Sequence, residues 1–188
     1  MMNKLDLLES LQNKVGDCQK CELCETRTRL VFGEAHGKME YMFIGEAPGA
    51  DEDAAGLPFV GRSGKLLRSK IIEPLGLNTN CYITNTLLCR PPNNANPTPE
   101  QTEACKTRLD LAIRIIQPKL IIAVGRYAAI WLSEFKYKDF TMGELVGLEY
   151  FYKTEIPVIP IYHPAYLLRQ RSKIADMVNL IKERINKV

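Results

Sequence analysis

Four short apolar runs, separated by segments with helical spacing, constrain the fold of this chain more than any other feature. They are YMFIG at 41–45, CYITN at 81–85, LIIAVG at 120–125 and VIPIY at 158–162. Runs of this length that are apolar on both sides are typical of strands in a parallel sheet covered by helices. The sequence therefore predicts the α/β class, as a three-layer α/β/α sandwich with a central, mainly parallel four-stranded sheet.

The segments between these runs carry helix signals. Helices are predicted near the start, behind an Asn3 cap, and over 65–76, where KLLRSKIIEPLG ends in proline and glycine. The clearest start is Thr98 as the cap, with Pro99 at the first helical position and a glutamine three residues after the cap. Residues 139–156 are less regular, and a hairpin is one interpretation of them.

Size and composition indicate an ordinary globular protein. The chain has 188 residues, of which 46% are hydrophobic and 25% charged. It shows neither an apolar run of membrane length nor a signal-peptide core. We therefore expect a single domain over 1–188, a cytoplasmic location, a monomer and no membrane partner. The net charge of +3 permits nucleic-acid binding without requiring it.

The six cysteines are the unusual part of the composition. In a chain of this length without an export signal they indicate metal binding or catalysis rather than disulfides. The candidate ligands form two pairs: Cys18 and Cys21 in a C-x2-C motif, and Cys89 and Cys105 further along the chain. Four thiolates from two segments suit a structural zinc or an iron-sulfur cluster, and the spacing does not choose between them. Cys24 and Cys81 are interpreted as packing residues.

Three segments should meet at the carboxyl edge of the sheet, where ligands of α/β proteins bind. GEAPG follows the first strand, Asn85 ends the second, and His163 follows the fourth. The glycine-rich stretch 45–67 has neither phosphate-binding motif, and its acidic run at 51–53 would repel phosphate, although it suits a metal. By composition alone, a solvated acidic loop is an equally good interpretation. His36, in a polar turn, is predicted to be a surface residue.

Taken in order, the motifs C-x2-C, GEAPG-x3-D-x2-G-x-PFVG, TN-x3-CRPP and HPAYLLR resemble the family 4 uracil-DNA glycosylases, the iron-sulfur branch of that superfamily. The resemblance covers most of the chain, from Cys18 to Arg169. It implies an α/β/α sandwich that removes uracil from single- or double-stranded DNA and leaves an abasic site. It also implies a 4Fe-4S cluster with four ligands: Cys18, Cys21, Cys89 and Cys105.

The resemblance assigns base-binding roles to three side chains. A base inside a duplex has to be flipped into a pocket before an enzyme reaches it, and Phe59 would stack on the flipped uracil. Asn85 would accept from uracil N3–H and donate to O4, and cytosine presents the opposite pattern at these positions. Glu52 would lie beside C5 and crowd the methyl group of thymine.

Breaking the glycosidic bond leaves negative charge on the uracil ring. His163 would donate to O2, helped by backbone amides around Glu46 and Ala47. Superfamily members that activate water with an aspartate carry it at the position of Ala47. Glu46 is then the nearest carboxylate in sequence, and a largely dissociative mechanism needs no general base.

The implied DNA contacts lie after His163 and in the proline-rich loop. The segment after His163 has the composition of a wedge with an arginine for phosphate, and it comprises Tyr166, Leu167, Leu168 and Arg169. Arg171 and Lys173 extend the positive strip, and Arg90 would lie along the DNA backbone. The chain departs from the family at Ala95, where an arginine is common, and at MGELVG, where the family has a further Arg-Gly.

A different class of function competes with the enzyme. The alternative is a non-catalytic iron-sulfur module on the same scaffold that binds nucleic acid or associates with a polymerase. The presence of Phe59, Asn85 and His163 together favours the enzyme. A nucleotide-dependent α/β enzyme is disfavoured because the phosphate-binding motifs are missing.

Overall fold

The computed structural model describes residues 3–188, and six strands within that range form one sheet. In chain order they are β1 (Glu34–Ala35), β2 (Tyr41–Gly45), β3 (Cys81–Asn85), β4 (Leu120–Val124), β5 (Tyr150–Tyr152) and β6 (Ile156–Ile161). Their order across the sheet is β1-β3-β2-β4-β6-β5. The four inner strands run parallel, and β1 and β5 pair antiparallel at the two edges.

The inner strands are the four apolar runs, so the predicted class and its mainly parallel sheet are confirmed. The predicted count of four strands is too small. The two additional strands are only two and three residues long, and neither is buried throughout. Such short edge strands carry little hydrophobic pattern of their own. β5 forms a hairpin with β6, in line with the hairpin interpretation of 139–156.

Helices cover both faces of the sheet. They are α1 (Lys4–Val15), α2 (Leu23–Thr26), α3 (Ala50–Ala55), α4 (Arg62–Leu67), α5 (Pro99–Ile116), α6 (Arg126–Leu132), α7 (Met142–Leu145), α8 (Pro164–Leu167) and α9 (Lys173–Ile185). Met42 and Ile44 pack in a core with α1, α5 and α6, whereas Phe43 packs on the other face with α4 and α9. No helix within 3–188 is long and apolar enough to cross a membrane.

Local signals set the helix ends as expected. The Thr98 hydroxyl accepts from Gln101 N–H at 3.2 Å, and the Gln101 side chain accepts from Thr98 N–H at 3.0 Å. The helix predicted over 65–76 changes type along its length. It is α4 up to residue 67, a π-helical turn over Arg68–Ile72 and a 3-10 turn over Glu73–Leu75, ending at Gly76 with φ +69°.

Candidate active site

A cavity of about 290 Å³ opens at the carboxyl ends of the parallel strands. Its walls bring together six residues for which the sequence predicted a role at the base: Glu46, Ala47, Glu52, Phe59, Asn85 and His163. They come from the ends of three strands and from the glycine-rich stretch. Ser63 and Ala165 also line the cavity. Neither was assigned a role from the sequence, although Ala165 lies within the HPAYLLR motif.

Phe59 forms one wall of the cavity and has a left-handed backbone, with φ +53°. Its ring is buried, and the ring centroid lies 6.5 Å from that of His163. Two glycines leave space for it. A Cβ at Gly45 would lie 2.5 Å from the ring Cζ, and a Cβ at Gly64 would lie 2.1 Å from the Phe59 carbonyl carbon. The glycines of this stretch therefore permit close packing around one aromatic residue.

The Asn85 side chain packs closely against Gly45, and its backbone is held by hydrogen bonds. It pairs with Gly45 across β3 and β2, and a Cβ at Gly45 would lie 2.4 Å from Asn85 Oδ1. Its carbonyl accepts from the buried Arg108 guanidinium at 3.0 Å, and the Thr86 carbonyl accepts from the same nitrogen at 3.1 Å. The amide is 2% exposed and lines the cavity. Arg108, on α5, was not predicted because only tertiary packing brings it here.

The acidic run at 51–53 is partly folded into the protein rather than wholly solvated. The Glu52 carboxylate accepts three backbone bonds, from Gly49 at 3.1 Å, Val60 at 2.9 Å and Gly61 at 2.8 Å. Asp53 is buried and accepts from Thr28 N–H at 2.9 Å. Glu52 therefore fixes the backbone beside the cavity and presents a fixed wall to it, whereas Asp53 joins α3 to the segment at Thr28.

The His163 ring has a defined donor. Its Nδ1 accepts from Ala165 N–H at 3.2 Å, so the proton of the neutral ring lies on Nε2. Burial lowers the pKa of His163, and the negative charge of Glu52 opposes that effect. Gly125 permits the close packing of this residue, since a Cβ there would lie 3.1 Å from His163 Cβ. The cavity thus contains a neutral histidine with a free N–H.

Glu46 is the third titratable side chain that lines the cavity, after Glu52 and His163. Burial raises the pKa of its carboxyl from 4.5 to about 7. Its carbonyl accepts from the Thr86 hydroxyl at 2.6 Å and from Leu87 N–H at 3.0 Å, which fixes the backbone between β2 and α3. A carboxyl that titrates near neutral pH is suited to accept a proton from water.

The four predicted ligand cysteines lie in three places: Cys18 and Cys21 follow α1, Cys89 follows β3, and Cys105 is on α5. Burial raises the pKa of the Cys89 thiol to about 11, Arg27 opposes the rise, and the neighbouring Cys105 and Cys21 thiols add to it. Cys18 likewise adds to the raised pKa of Cys21, after the larger effect of burial. Among residues 3–188, no three metal-ligating side chains form a group that would hold a single ion.

Their surroundings suit a sulfur-ligated cofactor. Cys18 and Cys105 line a largely apolar cavity of about 420 Å³. The Arg27 guanidinium donates to the Cys18 carbonyl at 2.7 Å and to Cys89 Sγ at 3.4 Å, and thereby joins the two cysteine segments. Free thiols, an apolar wall and an N–H donor to sulfur fit an iron-sulfur cluster. Cys81, by contrast, is buried at the start of β3.

The segment after His163 divides into exposed and buried residues. Tyr166 is 37% exposed and packs on Tyr162 with ring centroids 4.7 Å apart, and Arg169 is also exposed. Leu168 is half-buried. Leu167 departs from the expected wedge, because it is completely buried in the core beside α4 and α9. In this structure it is not accessible to DNA.

The proline-rich loop forms the rim of the cavity. Arg90 donates to Asn94 Oδ1 at 2.8 Å, and Asn93 and Asn94 have left-handed backbones with φ +55° and +53°. Asn94 and Ala95 both line the cavity. Ala95, one of the two departures from the family that the chain resembles, therefore lines the same cavity as Phe59, Asn85 and His163.

Comparisons with known proteins agree with this architecture. The sequence model described as the Uracil DNA glycosylase superfamily matches residues 32–187. A type-4 uracil-DNA glycosylase from Sulfurisphaera tokodaii is 43% identical over 87% of this chain and 77% of the relative. One from Archaeoglobus fulgidus is 41% identical over 87% and 84% of the two chains, and one from Thermotoga maritima is 37% identical over 100% and 95%.

Proposed function

The chain belongs to the uracil-DNA glycosylase superfamily and, within it, to the type-4 enzymes, and we propose that it is a monofunctional DNA-repair glycosylase that hydrolyses the N-glycosidic bond of uracil in DNA. The observation that carries the proposal is the single cavity lined by Phe59, Asn85 and His163. An aromatic wall, an amide and a neutral histidine are the groups that base stacking, base readout and anion stabilisation require.

Recognition uses the ring face of the base, its N3 and O4 atoms, and the position beside C5. The flipped uracil stacks on Phe59, while Asn85 accepts from N3–H and donates to O4. Cytosine would place an acceptor against the Asn85 oxygen and a donor against its amino group, which leaves buried polar groups unpaired. Glu52, fixed by three backbone amides, occupies the space beside C5 and excludes the thymine methyl group.

Cleavage separates charge across the bond between C1′ and N1. The bonding electrons go to the uracil ring, chiefly to O2, where His163 Nε2–H donates a hydrogen bond and backbone amides around Glu46 and Ala47 assist. The sugar becomes cationic and takes a hydroxyl from water. Glu46 orients that water and accepts its proton, a role supported by its pKa of about 7. The uracil anion then takes a proton from solvent and Glu46 releases its own to solvent, so the products are free uracil and an abasic site.

Cys18, Cys21, Cys89 and Cys105 would hold a 4Fe-4S cluster. When bound, the cluster would supply four iron-thiolate bonds that join the loop after α1 to Cys89, which follows β3, and to Cys105 on α5. Arg27 donates to the Cys89 sulfur and supports these ligands from the protein side. The cysteines thereby fix the proline-rich loop at the rim of the cavity.

DNA contacts follow from the exposed part of the same edge. We infer that Tyr166 and Leu168 fill the gap left by the flipped base and that Arg169 contacts phosphate, with Arg90 beside the backbone. The protein acts in the cytoplasm as a monomer on single- or double-stranded DNA.

The test is uracil release from a labelled oligonucleotide with a single uracil, opposite guanine, opposite adenine or unpaired. Alkali should then cleave the strand at the abasic site, and the thymine-containing oligonucleotide should remain intact. His163→Ala should lose most of this activity while it retains binding to abasic DNA. Binding of DNA with no release from any of the three substrates would reject the enzyme and support the non-catalytic module.

A further inference from the structure

The backbone of Phe59 is held from behind by one arginine. Arg68 Nε donates to the Phe59 carbonyl at 2.9 Å, and the Arg68 Nη2 nitrogen donates to the Pro58 carbonyl at 2.7 Å. These two carbonyls belong to the peptides immediately before and after the left-handed residue Phe59. A left-handed backbone at a non-glycine residue is strained and persists only where its surroundings fix it. Arg68 supplies that fixation.

Arg68 is in turn held by Glu34. The Arg68 Nη2 nitrogen lies 2.5 Å from Glu34 Oε2, and Nη1 lies 3.5 Å from Oε1. His36 Nε2 is 2.9 Å from the same Oε1, and the side chains of Glu34, His36 and Arg68 are all half-buried. His36, predicted as a surface residue, is therefore also half-buried. Glu34 lies on β1, which pairs with β3, so the contacts connect the Phe59 peptide to the sheet that carries Asn85.

The helix geometry at Arg68 is also unusual. The π-helical turn begins at this residue, directly after α4. Such turns are rare and occur frequently at functional sites, because they are less favourable than a continued α-helix. Arg68 does not line the cavity that contains Phe59, Asn85 and His163. Its direct contacts next to that cavity are with the Pro58 and Phe59 carbonyls.

We propose that Arg68, oriented by Glu34, is a positioning residue for uracil removal: it fixes the Phe59 peptide so that the ring lies against the flipped base. This inference rests on the proposed function. A half-exposed ion pair by itself contributes little to stability, so a purely structural role would affect unfolding slightly and would not depend on Phe59. A positioning role makes the effect of Arg68 on the rate depend on the Phe59 ring.

A double-mutant cycle separates these two roles. The variants are Arg68→Gln, Phe59→Ala and the double variant, with single-turnover rate constants measured on a U·G duplex. We expect Arg68→Gln to lower the rate constant about 10- to 100-fold and to leave the Kd for abasic DNA within roughly threefold of the wild type. In the Phe59→Ala background, Arg68→Gln should lower the rate constant less than about twofold.

Three further variants control the cycle. Lys70→Gln removes an exposed positive charge from the same π-helical turn and should behave as the wild type. Arg68→Lys restores one donor and should recover part of the rate. Glu34→Gln weakens the orientation of Arg68 without removing it and should give an intermediate rate, which provides a test if Arg68→Gln does not fold.

Full additivity of Arg68→Gln and Phe59→Ala, or a wild-type rate in Arg68→Gln, would overturn the positioning role while leaving the glycosylase proposal intact. Failure of the wild-type protein to release uracil would instead reject the proposed function. The two failures are therefore distinguishable in one set of measurements.

Discussion

At the scale of single residues, Asn85 carries the choice between uracil and cytosine. Its amide both donates and accepts, whereas the carboxylate in Asn85→Asp only accepts unless it is protonated. We expect Asn85→Asp to lower uracil release by about 100-fold or more and to raise release of cytosine from a C·G oligonucleotide. Asn78→Asp, on an exposed turn, is the matched control. Equal loss on both bases would contradict the readout by Asn85.

Gly45 is the residue on which the geometry of both base-binding side chains depends. A Cβ there would lie 2.4 Å from Asn85 Oδ1 and 2.5 Å from Phe59 Cζ, so Gly45→Ala must displace at least one of them. We expect single-turnover uracil release to fall about 100-fold and stability to fall by roughly 1–3 kcal/mol. Gly143→Ala, whose Cβ would meet only Thr141 Oγ1 at 3.9 Å, should retain full activity.

Glu46 should make stability depend on pH. Its pKa rises from 4.5 to about 7 on folding, so between these values the folded chain holds a proton that the unfolded chain has released. Stability therefore falls as the pH rises through this window. Glu46→Gln should remove this fall and be roughly 1–2 kcal/mol more stable than the wild type above pH 7, after allowance for the partial exposure of the carboxyl.

Urea unfolding across this pH range measures the difference between the two proteins. Glu183→Gln, on the exposed side of α9, should keep the wild-type profile. A constant difference between Glu46→Gln and the wild type at every pH would show that Glu46 does not titrate in this window. The same variant should also flatten the rise of the single-turnover rate constant through pH 7.

At the scale of elements, the sequence predicted the inner strands and the start of α5, because a few consecutive residues determine each of them. The inner strands are apolar and buried, and the Thr98 cap hydrogen-bonds the free backbone N–H of Gln101 at the start of the helix. The ends of those strands also placed the site residues on one edge. β1 was missed, and β5 was anticipated only through the hairpin interpretation of 139–156, because strands of two and three residues carry little hydrophobic pattern. Arg68 and Arg108 were missed because only tertiary packing brings their partners to them, and no spacing in the sequence encodes those contacts.

The proline-rich loop is the element in which DNA affinity is most readily changed. Ala95 is exposed at the cavity rim, where the flipped nucleotide should enter. Ala95→Arg adds a cation beside the phosphates, and we expect tighter binding of abasic DNA at low salt with a log K against log salt slope steeper by about 1. Ala95→Gln tests for a contribution without charge and should leave the slope unchanged. An unaltered slope in Ala95→Arg would place the DNA backbone elsewhere.

At the scale of the whole molecule, the cysteines and the base site are connected through α5. Cys105 lies on this helix, and Arg108, one turn further on, donates to the carbonyls of Asn85 and Thr86. Burial lowers the pKa of Arg108, and the charges of Cys105 and Cys89 are among the effects that oppose this. Thiolates bound to iron would therefore also stabilise a buried cation that holds the end of β3.

Loss of the cluster should therefore affect both the segment between Cys89 and Cys105 and the end of β3. Purified protein should be brown, with visible absorption and four iron atoms per chain, a number expected of the proposed 4Fe-4S cluster. Cys105→Ser should lose the iron and the colour, and its free energy of unfolding should be lower than that of the wild type by roughly 3 kcal/mol or more. It should also become sensitive to proteolysis between residues 89 and 105. If the purified protein contained zinc and no iron, the four cysteines would form a structural zinc site and the proposed cluster would be wrong.

Cys24→Ser is the matched control, because Cys24 is half-buried near the same loop but is not a proposed ligand. It should retain iron, colour and the wild-type resistance to protease. Iron loss in Cys24→Ser together with full retention in Cys105→Ser would contradict the ligand assignment. If Cys105→Ser loses its iron, hydrogen exchange should then be faster at the amides of Thr86 and Leu87, because the Arg108 contacts that fix the end of β3 would be weakened.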